Sequence, residues 1–271
     1  MSAALQRPEL LCVWLAIASF AGAGTSTLLA PRRDGRATLA LLAAALLALG
    51  GGIALRWARL GHGPFMSLFE ILASSLFSLG LACALVWWRR PMLRSTAVVL
   101  IPLLLVIGAW LAVSDPADTQ LPPTYETSVL WFHVLFGKVF LAFALVATGI
   151  AGVVLARRGA AARWFAGMPG DAALDALAWR CMLGALLFET LMLIAGAVWA
   201  QDAWGRYWAW DPLETWSFVT WLALSGAVHA RLAYRVGPRA GAALIVAVFV
   251  LAFLTFFGVP FVSTAPHKGA V

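Results

Sequence analysis

The chain has 271 residues, of which 63% are hydrophobic and only 11% are charged, and its formal net charge is +7. Soluble domains are about a quarter charged, so this composition excludes an ordinary soluble protein and indicates an integral membrane protein. The arginines are spread over several short loops, which argues against a nucleic-acid-binding face and matches the loop pattern of a membrane protein.

Eight apolar runs are long enough to cross a bilayer as α-helices, which takes about 20 residues. We predict spans over residues 10–30, 37–56, 67–88, 96–113, 130–155, 173–199, 214–234 and 240–259. The loops after the first, third, fifth and seventh spans are rich in arginine, so we expect them in the cytoplasm. Both termini then lie on the outer side, and residues 1–271 form a single polytopic, all-α membrane domain.

Neither the N-terminal apolar run nor the cysteines indicate a cleaved signal or a metal site. The first 30 residues resemble a signal peptide, but arginines rather than a cleavage site follow the apolar run, so we interpret it as a span.

The three cysteines, Cys12, Cys83 and Cys181, lie in separate apolar runs without CxxC or CxxCH spacing. They therefore indicate neither a zinc site, nor a redox pair, nor a covalent haem, and we expect small buried residues.

Charged residues at or inside the predicted spans need partners. Glu70 lies near the outer start of the third span, close in sequence to His62, and we expect it to cap or pair there. Glu189 falls in the middle of the sixth span, where an isolated carboxylate is costly. We therefore expect a structural hydrogen-bond partner for Glu189, and the alternative is a contact with a proton or a ligand.

The stretch WGRYWAWDPLETW, residues 204–216, joins the sixth and seventh spans. Tryptophan and tyrosine favour the membrane–water interface, so we expect a loop over residues 200–213 on the outer side. The rings of Trp204, Trp208 and Trp210 suit the walls of a flat apolar cofactor, and Arg206 suits its acidic groups.

Histidine occurs only at His62, His133, His229 and His267. His133 and His267 lie on the outer side and flank the aromatic loop in sequence, which suggests bis-histidine ligation of haem iron. The alternative is an interfacial aromatic belt with incidental histidines. His229 follows Trp216 by 13 residues, roughly 20 Å along a helix, which places it inside the membrane beyond the midplane. Such a residue is either structurally hydrogen-bonded or functional.

The pattern WGxxWxWDxxExW, formed by Trp204, Gly205, Trp208, Trp210, Asp211, Glu214 and Trp216, resembles the WWD signature of haem-handling proteins. Its continuation SFVTWLALSGAVHARL resembles the CcsA (ResC) family of System II cytochrome c biogenesis in particular. The segment around His62, Pro64 and Glu70 is similar to that family's GHxP…E segment. The C-terminal tail, which reads GVPFVSTAPHKGA, departs from the family pattern around His267.

The resemblance implies a bacterial inner-membrane protein that takes haem b, held non-covalently, across the membrane. With a partner of the CcsB (ResB) type, such a protein helps to attach haem to the CxxCH motif of apocytochrome c, as a subunit of a cytochrome c synthase. The resemblance also implies that His133 and His267 are axial ligands on the outer side and that His229 holds haem within the membrane. Trp204, Trp208, Trp210, Arg206 and Asp211 belong to the haem-presenting loop, where Asp211 and Glu214 shape the loop or face partners rather than catalyse.

Three alternatives come from other protein classes. A dihaem cytochrome b needs histidine pairs at both membrane faces. This chain has only one intramembrane histidine, His229, because His133 lies at the outer end of the fifth span. A secondary transporter is typically built from repeats with broken helices, and the sequence shows no such duplication. A structural subunit would use the aromatic loop only for docking, and haem retention through purification distinguishes it from a haem carrier.

Overall fold

The computed structural model describes residues 7–29 and 35–262, and within these ranges it contains eight long α-helices and no strand. They are α1 (Pro8–Leu29), α2 (Arg36–Leu60), α3 (Leu68–Arg89), α4 (Ala97–Val113), α5 (Ser128–Ala156), α6 (Asp171–Trp204), α7 (Pro212–Ala233) and α8 (Pro238–Phe253). A π-helical turn and a short helix, Leu254–Gly258 and Val259–Val262, continue α8. Each helix begins and ends close to a predicted span, but α6 runs on to Trp204, beyond its predicted end at residue 199.

Seven helical segments in the described part of the chain are long and apolar enough to span a membrane. The fourth of these is α4 together with the 3₁₀ turn before it, and the seventh is α8 with its π-helical turn. The prediction of an all-α integral membrane protein is therefore confirmed. Helix α7 is not among the seven, and it carries Glu214, His229 and several tryptophan, threonine and serine residues. Its passage through the membrane, and the outer position of both termini, stay predictions.

The chain forms two compact units, of which the first contains the described residues up to 120 together with 159–168. The second contains residues 121–158 and the described residues from 169 onward. All the residues that form the site below belong to the second unit. The prediction of one membrane domain over the whole chain stays a prediction.

The first unit buries apolar faces of α1 to α4 against one another. Phe20, Leu42, Leu76 and Leu104 are fully buried in this core. Helices α1 and α2 approach closely at Gly52, where an added Cβ would lie 3.0 Å from the carbonyl oxygen of Glu9. Small residues thus allow the helix backbones to pack directly.

A buried ion pair fixes the loop that follows α4 in the first unit. Arg56 Nε donates to Glu70 Oε1 at 2.9 Å, and both side chains are almost completely buried. The other guanidinium nitrogens donate to the carbonyl oxygens of Pro116 and Ala117. Glu70 also forms a capping box with Ser67 at the start of α3. The prediction that Glu70 caps or pairs is confirmed, since it does both.

His62 is part of the same network rather than of the candidate site. Its ring is buried, with Nδ1 3.0 Å from the carbonyl oxygen of Gly63 and Nε2 3.0 Å from that of Thr119. The hydroxyl of Thr119 in turn donates to Glu70. The segment similar to the GHxP…E motif therefore has a structural role here, which is to hold residues 116–119.

The second unit is built around the antiparallel pair of α5 and α6. Gly137 of α5 faces Met192, and Gly184 of α6 faces Phe143 so closely that an added Cβ would lie 2.9 Å from its ring. Phe140 is fully buried and packs against Phe256 after α8. These contacts set the register of α5 against α6, and this register positions the site.

Glu189 lies on the buried face of α6 with none of its surface exposed. Neither of its carboxylate oxygens has a hydrogen-bond partner among the described residues, so the expectation of such a partner is wrong. On this face its neighbours one turn away are apolar, namely Ala185 and Met192. The nearest hydroxyl in sequence, that of Thr190, donates to Leu186 and accepts from Trp221 instead.

Candidate functional site

His133 lies in the second turn of α5, after the side chain of Thr127 caps the helix. Its Nδ1 lies 2.9 Å from the backbone carbonyl oxygen of Met192 on α6. A carbonyl oxygen only accepts, so Nδ1 must carry the proton and donate it. In the neutral ring Nε2 then holds the lone pair. This is the tautomer of a histidine whose second nitrogen binds a metal, with the other nitrogen oriented by a carbonyl group.

A glycine on α6 makes room for this ring. A Cβ built on Gly196 would lie 2.8 Å from both Nδ1 and Cε1 of His133, closer than atoms in van der Waals contact approach. Gly196 therefore forms a recess in which one edge of the imidazole sits. Because Met192 is one turn earlier on α6, the recess and the acceptor of the hydrogen bond lie on the same helical face.

Trp199 forms an aromatic wall beside His133. The two rings are nearly parallel, at 19°, with their centroids 6.4 Å apart. Trp204 packs edge-on against Trp199 at 4.9 Å, Tyr125 does so at 5.1 Å, and the indole nitrogen of Trp199 donates to the carbonyl oxygen of Thr124. We call His133, Trp199, Trp204 and Tyr125 the histidine cluster. It joins the first tryptophan of the signature to the predicted ligand His133.

Trp199 and Gly196 were not predicted as site residues from the sequence. Both lie within the sixth predicted span, residues 173–199, whereas the predicted site residues nearby lie in the loop after that span. The missed signal is helical spacing, since Met192, Gly196 and Trp199 recur at intervals of three or four residues and therefore share one face of α6.

The aromatic loop runs from the end of α6 to the start of α7. Gly205 ends α6 in the left-handed conformation, with φ of 72°, and its amide donates to the carbonyl oxygen of Gln201. Asp211 then caps α7, because its side chain accepts from the amide of Glu214, and Pro212 occupies the first helical position. Both are ordinary helix-terminating devices. The irregular part is therefore 205–211, which is shorter at both ends than the predicted loop over residues 200–213.

Trp210 has a φ of 59°, and it is the one residue other than glycine with a positive φ in the described ranges. This conformation costs an L-residue with a Cβ roughly 1–2 kcal/mol. Glu214 supports it: one carboxylate oxygen accepts from the amide of Ala209 at 2.7 Å. Asp211 and Glu214 thus shape the loop, which is one of the two roles predicted for them.

The loop's tryptophans continue into α7 as a row of ring contacts. Trp210 packs edge-on against Trp208 at 5.7 Å, and Trp208 packs edge-on against Phe218 at 6.1 Å. Phe218 stacks on Trp221 at 5.9 Å, and the indole nitrogen of Trp221 donates to Thr190. We call Trp210, Trp208, Phe218 and Trp221 the loop row. At its free end Trp210 keeps 70% of its surface exposed, and Arg206 and Tyr207 nearby in sequence are exposed too.

The other predicted iron ligands lie elsewhere. His229 lies near the C-terminal end of α7, and its side chain is exposed. None of the residues of the histidine cluster belongs to α7. His267 lies outside the described residues. The structure thus brings together His133 and Trp204 through Trp199, and Trp208 with Trp210.

These features define a multi-pass, all-α membrane protein with a pre-oriented histidine and an exposed, strained tryptophan loop in one unit. The chain belongs to the cytochrome c assembly protein family, whose model matches residues 38–267. It is 30% identical to the cytochrome c biogenesis protein CcsA of Synechococcus sp. (strain CC9311), over 88% of each chain. The CcsA of Parasynechococcus marenigrum (strain WH8102) is 29% identical over 84% of each chain. The protein therefore has a role in cytochrome c maturation, and its family implies that it handles haem.

The fold is also similar to that of a solved structure, the cytochrome c heme lyase CcmF. The TM-score is 0.74 at 20% sequence identity, and the match covers 96% of this chain. The chain spans about half of CcmF, 47% of its length, so the likeness concerns the shared fold.

Proposed function

We propose that this protein binds haem b non-covalently beside the histidine cluster, on the outer face of the bacterial inner membrane, and presents it to apocytochrome c. The observation that supports this most is the hydrogen bond from His133 Nδ1 to the Met192 carbonyl oxygen. It leaves Nε2 as the nitrogen able to bind iron, and the Gly196 recess limits how the ring can turn. A histidine that is merely part of an aromatic belt needs neither feature.

The surroundings suit the rest of the haem molecule. A porphyrin is flat and apolar, and aromatic surfaces lie near both ends of the loop in sequence: the histidine cluster includes Trp204 at its start, and the loop row begins at Trp208 and Trp210 near its end. Arg206 is exposed in the loop and supplies a cation for a propionate. By order along the chain, His267 would be the second axial ligand, which would give the bis-histidine arrangement.

His229 has a different part in this proposal. An ionisable side chain in a membrane span usually faces a partner or a functional path, because lipid solvates it poorly. His229 is exposed on α7, so it is accessible to a neighbouring membrane protein. It would hold haem within the membrane together with a histidine of a CcsB-type partner, before transfer to the site at His133.

Attachment of haem to CxxCH joins cysteine sulfur to the haem vinyl groups as thioethers. When bound, the haem supplies the vinyl carbons and an iron whose ligands tune its redox state. This chain would contribute by holding the ring and limiting its orientation. In the synthase it would therefore be a binding and positioning subunit, without a general acid or base of its own.

The test is haem retention after co-expression with the partner. The purified complex should carry haem with a six-coordinate, low-spin absorption spectrum, and His133→Ala should lose most of that haem or change the spectrum. Leu135→Ala is the matched control, because Leu135 lies on the same helix and is 53% exposed. Unchanged haem content and spectrum in His133→Ala, at normal protein levels, would refute the axial role of His133.

A further inference from the structure

Trp210 combines two features that folding alone does not favour. Its backbone is left-handed, a conformation that glycine adopts without cost, and its large indole ring remains mostly exposed. Residues held in rare backbone conformations cluster at functional sites, and they persist only where the surroundings hold them there. The residue that holds Trp210 is therefore of interest.

Glu214 is that residue. Its amide donates to Asp211 Oδ1 at 3.0 Å, and its own Oε2 accepts from the amide of Ala209 at 2.7 Å. In an ordinary capping box the acidic residue bonds back to the amide of the capping residue itself. Here it reaches two residues further, so the ring closed by this hydrogen bond encloses Trp210. We call the bond between Glu214 and Ala209 the carboxylate strap.

The strap fixes the backbone, and the loop row fixes the ring. Trp208 supports Trp210 edge-on, and Trp208 itself rests on Phe218 and is only partly exposed. The indole of Trp210 therefore rests on one neighbouring ring and a fixed backbone, while 70% of its surface stays exposed. A rigid, exposed aromatic ring binds a flat apolar ligand without losing much further conformational entropy.

We propose that Glu214 is a positioning residue whose strap sets Trp210 in advance as a contact surface for haem. Glu214 itself would not touch the haem, and its effect would pass through Trp210. This inference rests on the proposed function, because it takes haem as the ligand of the loop. It adds a role for the acidic residue of the signature and a reason for the left-handed tryptophan.

The first measurement needs no haem. Hydrogen–deuterium exchange over residues 205–211 reports whether the strap protects the amide of Ala209. Glu214→Ala should exchange faster there, whereas Glu214→Gln should keep protection, because its amide oxygen can accept the same bond. Equal exchange in the wild-type protein and Glu214→Ala would overturn the strap.

The second measurement is the rate at which the purified complex loses haem to apomyoglobin. Glu214→Ala should lose haem about tenfold faster, the change expected when one interaction of hydrogen-bond size is lost. Glu214→Gln should stay close to the wild-type rate. A Glu214→Ala complex that retains haem as firmly as the wild-type complex would overturn the positioning role.

A double-mutant cycle then tests whether Glu214 acts through Trp210. Trp210→Gly removes the ring and the strain together. If the strap serves that ring, adding Glu214→Ala to Trp210→Gly should not accelerate haem loss further. A further acceleration of similar size would show that Glu214 acts independently and would overturn the proposal. A wild-type complex without haem would instead refute the proposed function, and with it the assignment of haem to Trp210.

Discussion

At the scale of single residues, the most informative position is one without a side chain. Gly196 permits the imidazole of His133 to lie against α6, since a Cβ there would be 2.8 Å from the ring. Glycine inside a helix is destabilising by roughly 0.5–1 kcal/mol relative to alanine. An alanine at position 196 would therefore favour the helix but displace His133, so stability and ligation would change in opposite directions.

We expect Gly196→Ala to lower haem occupancy or convert the six-coordinate spectrum to a five-coordinate one, while the protein accumulates normally. Added imidazole should restore the six-coordinate spectrum, because it replaces the displaced ligand. The control is Gly51→Ala on α2, in the first unit, where an added Cβ meets no atom within 4 Å and should leave the spectrum unchanged. A wild-type spectrum in Gly196→Ala would contradict the importance of the recess.

Residue chemistry could be predicted from sequence only in part. His133, Trp204, Trp208 and Trp210 stand out by type and spacing, and they were predicted. The role of Gly196 depends on the register of α5 against α6, which one-dimensional spacing does not contain. The left-handed backbone of Trp210 was not predictable either, because sequence rules assign that conformation to glycine or asparagine.

At the scale of elements, the helices were predictable because their length and apolar composition must match the bilayer. The exception at the end of α6 has a clear reason. Gln201 and Asp202 ended the apolar pattern, but the helix continues until Gly205 can stop it with a left-handed turn. Capping chemistry rather than hydropathy sets that boundary.

The loop between α4 and α5 depends on the Arg56–Glu70 pair, in which the side chains are 5% and 1% exposed. Removing one partner of a buried ion pair leaves an uncompensated charge and lowers the free energy of unfolding by about 3–5 kcal/mol. We expect Arg56→Met to lower the thermal unfolding midpoint clearly in detergent and to accelerate hydrogen exchange over residues 114–119. The double variant Arg56→Met/Glu70→Gln should lower the unfolding midpoint by less than the sum of the decreases caused by Arg56→Met alone and by Glu70→Gln alone. Strict additivity would contradict the pairing.

Asp118 provides the control for that experiment, because it pairs with Arg59 at the surface. Hydrogen bonding to Arg59 lowers the pKa of the Asp118 carboxyl from its ordinary value of 3.8. Its contribution to stability is therefore fully present above that ordinary value and is lost only as the pH falls through the lowered pKa. Since exposed pairs contribute little, Asp118→Asn should leave the unfolding midpoint at neutral pH nearly unchanged.

At the scale of the whole molecule, the topology depends on whether α7 crosses the membrane. Seven segments of the described chain meet the length and composition of a membrane span, and α7 does not. Its 22 residues are nevertheless long enough to cross. It also connects the loop that we propose to present haem with His229, which we propose to receive haem from the partner. These two proposals require that the two ends of α7 lie on opposite sides of the membrane.

Cysteine labelling in intact cells tests this requirement. In a variant whose three native cysteines are replaced by alanine, we expect Asp202→Cys to react with an impermeant maleimide from outside. Arg235→Cys, just after α7, should react only after the membrane is permeabilised, because its loop is arginine-rich. Asp115→Cys and Arg90→Cys, on either side of α4, serve as outer and inner controls. If Arg235→Cys and Asp202→Cys were labelled alike, α7 would not cross the membrane, and His229 could not be an intramembrane haem ligand between the two faces.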